Sequence, residues 1–130
     1  MKLAIIFLSV FFLTIIQACV WKCNGINETD VVGYYYPIVG NKTEYIHIKP
    51  DGTFYHFYAS KEDTIRDSGN WDISKARCHI GLSNMRWPDR EYFPEWSEPS
   101  YADFEWKKGQ LKMNSDYLSF EKEDKKPEIE

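Results

Sequence analysis

The sequence predicts an all-β domain, a single antiparallel up-and-down β-barrel of about eight strands that follows an N-terminal signal segment. Three observations carry this expectation. Short segments rich in Tyr, Phe, Ile, Val and Trp recur at intervals of about ten residues, each bounded by Gly, Pro, Asn, Asp or Ser, as strands joined by tight turns do. No segment sustains a 3.6-residue apolar period long enough to specify a helix. Aromatic residues make up 17% of the 130-residue chain and charged residues 28%, which is too much apolar mass for a disordered protein and enough for one packed core.

The first element is not part of the barrel. Lys2 precedes an apolar run from Leu3 to Ile16, broken only by Ser9 and Thr14, that ends at Gln17-Ala18-Cys19. A positive start, a short apolar centre and a small residue before the cut describe a secretory signal peptide over residues 1–18. As a helix this run rises about 21 Å, short of the roughly 30 Å hydrocarbon layer that a stable span must cross. Ile16-Gln17-Ala18-Cys19 resembles the bacterial lipobox, with a branched apolar residue three before the cysteine and a small residue directly before it. That resemblance implies a diacylglycerol thioether on Cys19, which becomes the new N-terminus of a lipoprotein anchored to a membrane of the bacterial cell envelope. The alternative is a plain cut after Ala18 with no lipid.

Cys19, Cys23 and Cys78 are the three cysteines, and an odd thiol is a liability in an oxidising compartment. If Cys19 is acylated, Cys23 and Cys78 remain as one disulfide. Closing a loop of about fifty-five residues in this way contributes roughly 3–4 kcal/mol in the chain-entropy model. The alternative is that Cys78 is a buried free thiol.

Residues 19–30 form a flexible polar leader, and residues 31–121 hold the barrel. Its expected strands are Val31–Ile38, Thr43–Lys49, Thr53–Ser60, Thr64–Ile73, Ala76–Ser83, Tyr101–Lys107, Gln110–Asn114 and Tyr117–Glu121. Lys49-Pro50-Asp51-Gly52-Thr53 suits a three-residue loop ending in a glycine bulge. Closing the hairpin at Lys49 and Thr53 sets Ile48 opposite Phe54 and Ile46 opposite His56 on the inner face, with Tyr45, His47, Tyr55 and Phe57 on the other. Residues 84–100 mix large aromatics with Pro88, Pro94 and Pro99, so a regular central strand is not expected there. This loop either closes the barrel or forms a binding lid. Residues 122–130 read as a charged, solvated tail with no assigned partner.

Gly33-Tyr34-Tyr35, Asp51-Gly52-Thr53-Phe54, Gly69-Asn70-Trp71 and Leu118-Ser119-Phe120 together resemble the small lipocalin-like, or calycin-like, barrels of bacterial envelope lipoproteins. The resemblance covers residues 31–121. Lipocalins proper begin with Gly-x-Trp where this chain has Tyr35, and the helix that follows their barrel has no counterpart here. The family implies non-catalytic binding of a small apolar molecule.

The charge balance, twenty acidic against sixteen basic residues and a net charge of −4, argues against nucleic acid, which needs a basic surface. His47, His56 and His79 lack metal-ligand spacing. The chain carries no Gly-x-Ser-x-Gly, no phosphate-cradling glycine loop and no His-Glu-x-x-His. We therefore expect a non-enzyme that needs neither metal nor cofactor and acts as a monomer. Asn27-Glu28-Thr29 and Asn41-Lys42-Thr43 match the glycosylation sequon, which matters only in a eukaryotic source.

Two functions follow. In the first, the barrel or its aromatic mouth holds a small apolar molecule. In the second, residues 84–100 dock a partner protein, as an inhibitor or immunity-type module does, because Trp, Tyr and Arg anchor interfaces. Trp87, Tyr92, Phe93 and Trp96 are the candidate residues for the first, and Arg86, Trp87, Arg90, Tyr92 and Trp96 for the second.

Overall fold

The computed structural model describes residues 25–41, 43–88, 96–113 and 118–128. The signal segment with Cys19 and Cys23 lies outside the described residues, as do Arg90, Tyr92 and Phe93 of the aromatic loop. A short helix α1 (Glu28–Val31) precedes β1 (Gly33–Pro37), β2 (Tyr45–Ile48), β3 (Thr53–Ala59), β4 (Thr64–Ser74), β5 (His79–Met85), β6 (Ser100–Lys107), β7 (Gln110–Lys112) and β8 (Ser119–Glu123). Each strand pairs antiparallel with the next, and β8 pairs with β1 to close the barrel. The expected up-and-down barrel of eight strands is the fold observed.

The period-2 alternation of the strands explains the core. Tyr35, Ile46, Ile48, Phe54, Ile80, Leu82, Phe104, Leu111 and Phe120 point inward and are no more than 1% exposed. Burying a side chain of this size contributes about 1.5–3 kcal/mol relative to leaving it in water. The β2–β3 hairpin adopts the register expected of it, with Ile48 opposite Phe54 and Ile46 opposite His56. Gly52 takes the left-handed φ of 86° that its bulge needs, and Lys49 N donates to Thr53 O at 2.9 Å.

The β2–β3, β4–β5 and β6–β7 turns gather at one end of the barrel, where α1 plugs the opening. Ile26 and Val31 are buried there, and the Tyr35 hydroxyl donates to the Val31 carbonyl from inside. Burial pushes the Tyr35 phenol up to about 12, against a lowering contribution from Trp106. The end of the expected leader is thus ordered, and β1 starts at Gly33 rather than Val31 because Asn27 N and the Asp30 carboxylate close a helical turn first, at 3.1 Å.

Other boundaries shift by a few residues. Lys75, Ala76, Arg77 and Cys78 form the β4–β5 turn, in which Cys78 has a φ of 55°. β8 runs on to Glu123, and Lys122 Nζ donates to the Asp30 carbonyl at 2.8 Å. The tail is not free in solvent: the Tyr36 hydroxyl donates to the Lys125 carbonyl at 2.7 Å.

Candidate functional site

At the other end of the barrel the inner face turns polar. Glu44 lies two residues before Ile46, so alternation aims it inward, and the pairings Ile46↔His56 and His56↔Asp67 put all three groups at one level. Glu44 is 1% exposed, His56 0% and Asp67 5%, so charge here must be paired. His56 Nε2 meets Glu44 Oε1 at 2.9 Å, and its Nδ1 meets Asp67 Oδ2 at 3.2 Å.

Arg86 completes the group. Its backbone N donates to Asp67 Oδ2 at 2.9 Å and its Nε to Asp67 Oδ1 at 2.8 Å, while Nη2 reaches the Arg66 carbonyl at 3.2 Å. A bulge in β5 makes this possible. The register with β6 shifts between Leu82 and Met85, and Asn84 takes a φ of 62°, turning the chain so that Arg86 faces back onto β4.

Burial opposes the imidazolium of His56, yet the hydrogen bonds and charges of Asp67 and Glu44 outweigh it and raise its pKa above the ordinary 6.5. Burial likewise opposes the Asp67 carboxylate, but hydrogen bonds from His56 and Arg86 hold its pKa below the ordinary 3.8. Both ring nitrogens of His56 face carboxylates, an arrangement that favours the imidazolium.

The described candidate residues of the aromatic loop sit above this cluster. Pro88 and Trp96 bridge antiparallel to form a neck, braced by Ser97 N to Trp87 O at 2.9 Å and Trp87 N to Ser97 Oγ at 3.0 Å. Trp87 packs onto the core. Trp96 is half-buried, with its ring 4.6 Å edge-on from Tyr58 and 6.3 Å from His56. Arg86, Trp87 and Trp96 thus come together, with Arg86 bound to Asp67 and the two indoles closing the barrel. Cys78 packs against the core at the α1 end, far along the barrel from the loop.

A second feature lies outside the barrel. Outward-facing Tyr45 is only 4% exposed because aromatic rings surround it: Phe57 at 5.6 Å, Tyr55 at 6.1 Å, Tyr34 at 6.2 Å and Tyr36 at 6.4 Å. His47 stacks on Tyr34 at 3.9 Å, and the Arg66 guanidinium lies 5.5 Å from the Phe57 ring centre. Tyr36, Pro37, Thr43, Tyr45 and Phe57 form one side of a groove of about 470 Å³. Its other side is Glu123 of β8 and the returning tail, Lys125 to Glu128.

Sequence reasoning placed Tyr45, His47, Tyr55 and Phe57 on one face but did not link them to Tyr36 or the tail. It also missed the Glu44–His56–Asp67 cluster. The signal was present, since extending the same hairpin register into the next strand sets His56 beside an acid. Comparison with family models, with curated proteins and with solved structures finds no match to this chain.

Proposed function

We propose that the chain is a lipid-anchored lipoprotein of the bacterial cell envelope that acts as a non-catalytic binding protein for a small apolar molecule, held in the aromatic groove outside the barrel. The observation that carries the reading is the groove. Its volume of about 470 Å³ falls within the roughly 300–1,000 Å³ of small-molecule sites, and an aromatic floor with a few polar groups at the rim is the usual lining. The interior is less suited to a ligand. Tyr35, Phe54, Leu82, Phe104 and Phe120 are at most 1% exposed, so no water-sized void borders them, as in small barrels filled by their own side chains.

Trp87 and Trp96 pack inward, which favours closure over docking for the described ends of the loop. The engagement of both His56 nitrogens supports a non-catalytic role. The lipobox resemblance at Ile16–Cys19 supports the anchor. Ile26 and Cys78 belong to one apolar cluster, which brings the chain just after Cys23 to the same core and supports the Cys23–Cys78 disulfide.

The test is titration of the protein with 1-anilinonaphthalene-8-sulfonate, followed by NMR. Shifts are expected at Tyr36, Tyr45 and Phe57, and Phe57→Ala should weaken binding about tenfold through loss of ring contact. Shifts centred on Leu82 and Phe104 would move the site inside the barrel, and an unperturbed spectrum would remove the binding reading.

A further inference from the structure

The net charge of −4 is spread unevenly over the barrel. At the α1 end, Lys75 and Arg77 stand on the β4–β5 turn and Lys107 and Lys108 at the β6–β7 turn, all four exposed. The two turns are neighbours on the rim, because β5 pairs with β6 and Trp106 N donates to the Cys78 carbonyl at 2.8 Å. Among the described residues Lys75, Lys107 and Lys108 make no ion pair, and Arg77 reaches only Asp103, at 3.7 Å with its side chain 63% exposed. The acids of this end stand elsewhere. Glu28 and Asp30 lie on α1, which Lys122 Nζ holds to the β8–β1 side through the Asp30 carbonyl at 2.8 Å. Asp51 shares the β2–β3 turn with Lys49, and Glu105 stands opposite Lys112. At the far end of the barrel the β3–β4 turn carries Glu62 and Asp63 against Lys61 alone.

The β6–β7 turn holds one of these lysines at a conformational cost. Lys108 has a φ of 50° and Gly109 a φ of 79°, and together they join Lys107 to Gln110, its cross-strand partner. Asn, Asp or Gly suits the first position of such a two-residue turn, and a lysine there crowds its own Cβ against the backbone. The turn geometry does not ask for lysine. The path of the chain points to the same end. Ile26 is buried beside α1, so the leader joins the barrel at this rim. Cys19, seven residues earlier, lies within about 25 Å of Ile26 even with the chain fully extended.

We propose that the basic rim formed by Lys75, Arg77, Lys107 and Lys108 docks the barrel onto anionic phospholipid headgroups of the membrane that carries its anchor. The proposal rests on the reading of Cys19 as the lipid attachment site, and it fixes the orientation of the anchored barrel. Clustered Lys and Arg beside an anchor are drawn to anionic headgroups, and the attraction fades over a screening length of about 8 Å at physiological salt. The short leader keeps the rim close enough to sample that layer. With the α1 end against the membrane, residues 84–100 face away from it.

The experiment is co-sedimentation of the mature chain, with Cys19 unacylated, at millimolar lipid. One set of vesicles mixes phosphatidylglycerol into phosphatidylcholine, and the other is phosphatidylcholine alone. Binding is expected to the mixed vesicles only. Raising the salt from about 0.1 to 1 M, which shortens the screening length from about 10 to about 3 Å, should release it. Lys75→Gln and Lys107→Gln should each weaken binding about fivefold. Lys108→Asn should do the same while raising the thermal midpoint, because asparagine suits the left-handed turn, and this separates the charge from the fold. Lys61→Gln, at the far end, should change nothing. Equal binding to both vesicles, no binding, or an equal loss with Lys61→Gln overturns the proposal. The mass of the chain extracted from its own membrane reads the anchor separately. Diacylglycerol on Cys19 without vesicle binding keeps the anchor and overturns the rim, whereas rim-dependent binding with a bare Cys19 supports the rim and removes the anchor.

Discussion

His56 sits between Glu44 and Asp67 with 0% exposure, and Arg86 holds Asp67 from the far side. Two cations thus face two carboxylates, and the arrangement has a definite pH signature. Because the folded pKa of His56 is raised above its unfolded value of 6.5, its contribution is fully present below pH 6.5 and is lost as pH rises through the folded pKa. Asp67, with a folded pKa below its unfolded value of 3.8, contributes above that pH and loses its contribution as pH falls through the folded pKa. Stability should therefore be greatest between these limits and fall on the alkaline side. His56→Ala leaves the buried Glu44 carboxylate without its cation and Asp67 with Arg86 alone, and should cost about 3–5 kcal/mol. Denaturant unfolding at pH 6 and pH 9 checks both points: the wild type should be less stable at pH 9, and the gap to His56→Ala should narrow there. An equal gap at the two values would mean that the ring acts by packing alone. The residue was visible in the sequence as an inward position, but its acids come from a loop and from another strand, and no local spacing marks them.

Elements were more legible than sites, for a local reason. Pro50-Asp51-Gly52 specifies its turn through backbone preferences alone, and the register of β2 against β3 follows from that turn. The β5–β6 connection follows no such rule. Its course depends on the bulge at Ser83 and Asn84, where β4 and β5 approach so closely that a Cβ on Gly69 would lie 2.1 Å from the Ser83 carbonyl oxygen. Only with both strands in view does Gly69 read as the residue that permits the crossing. The loop neck that leaves this bulge is held by Trp96 on Tyr58 and by the Pro88 bridge. Trp96→Ala should then lower stability by about 2 kcal/mol, the cost of a half-buried aromatic. Anilinonaphthalene sulfonate binding at the outer groove should be unchanged. A variant with full stability and a lost ligand would make the loop the binding surface instead.

At the scale of the molecule the barrel was readable because its turns recur regularly, while the groove was not, because it joins outward faces of three strands to a tail about seventy residues further along the chain than Phe57. The polar, charged composition of that tail conceals its return to the barrel, where the Tyr36 hydroxyl donates to the Lys125 carbonyl. The same long-range logic applies to the N-terminal end, where Ile26 before α1, Val31 within it and Cys78 of the β4–β5 turn all pack on the barrel core. A Cys23–Cys78 bond would tie the leader to the α1 end of the barrel, away from residues 84–100. Loop closure over about fifty-five residues is worth roughly 3–4 kcal/mol, so Cys78→Ser should lower the thermal midpoint by about 15 °C in a domain of this size. A packed thiol would also lose stability on that change, and the distinction lies with Cys23, which contributes no expected packing. If the two cysteines are bonded, Cys23→Ser should cost about as much as Cys78→Ser, and the double variant should cost little more than either. Independent, additive losses, or a silent Cys23→Ser, would leave Cys78 as a core thiol and the leader untethered.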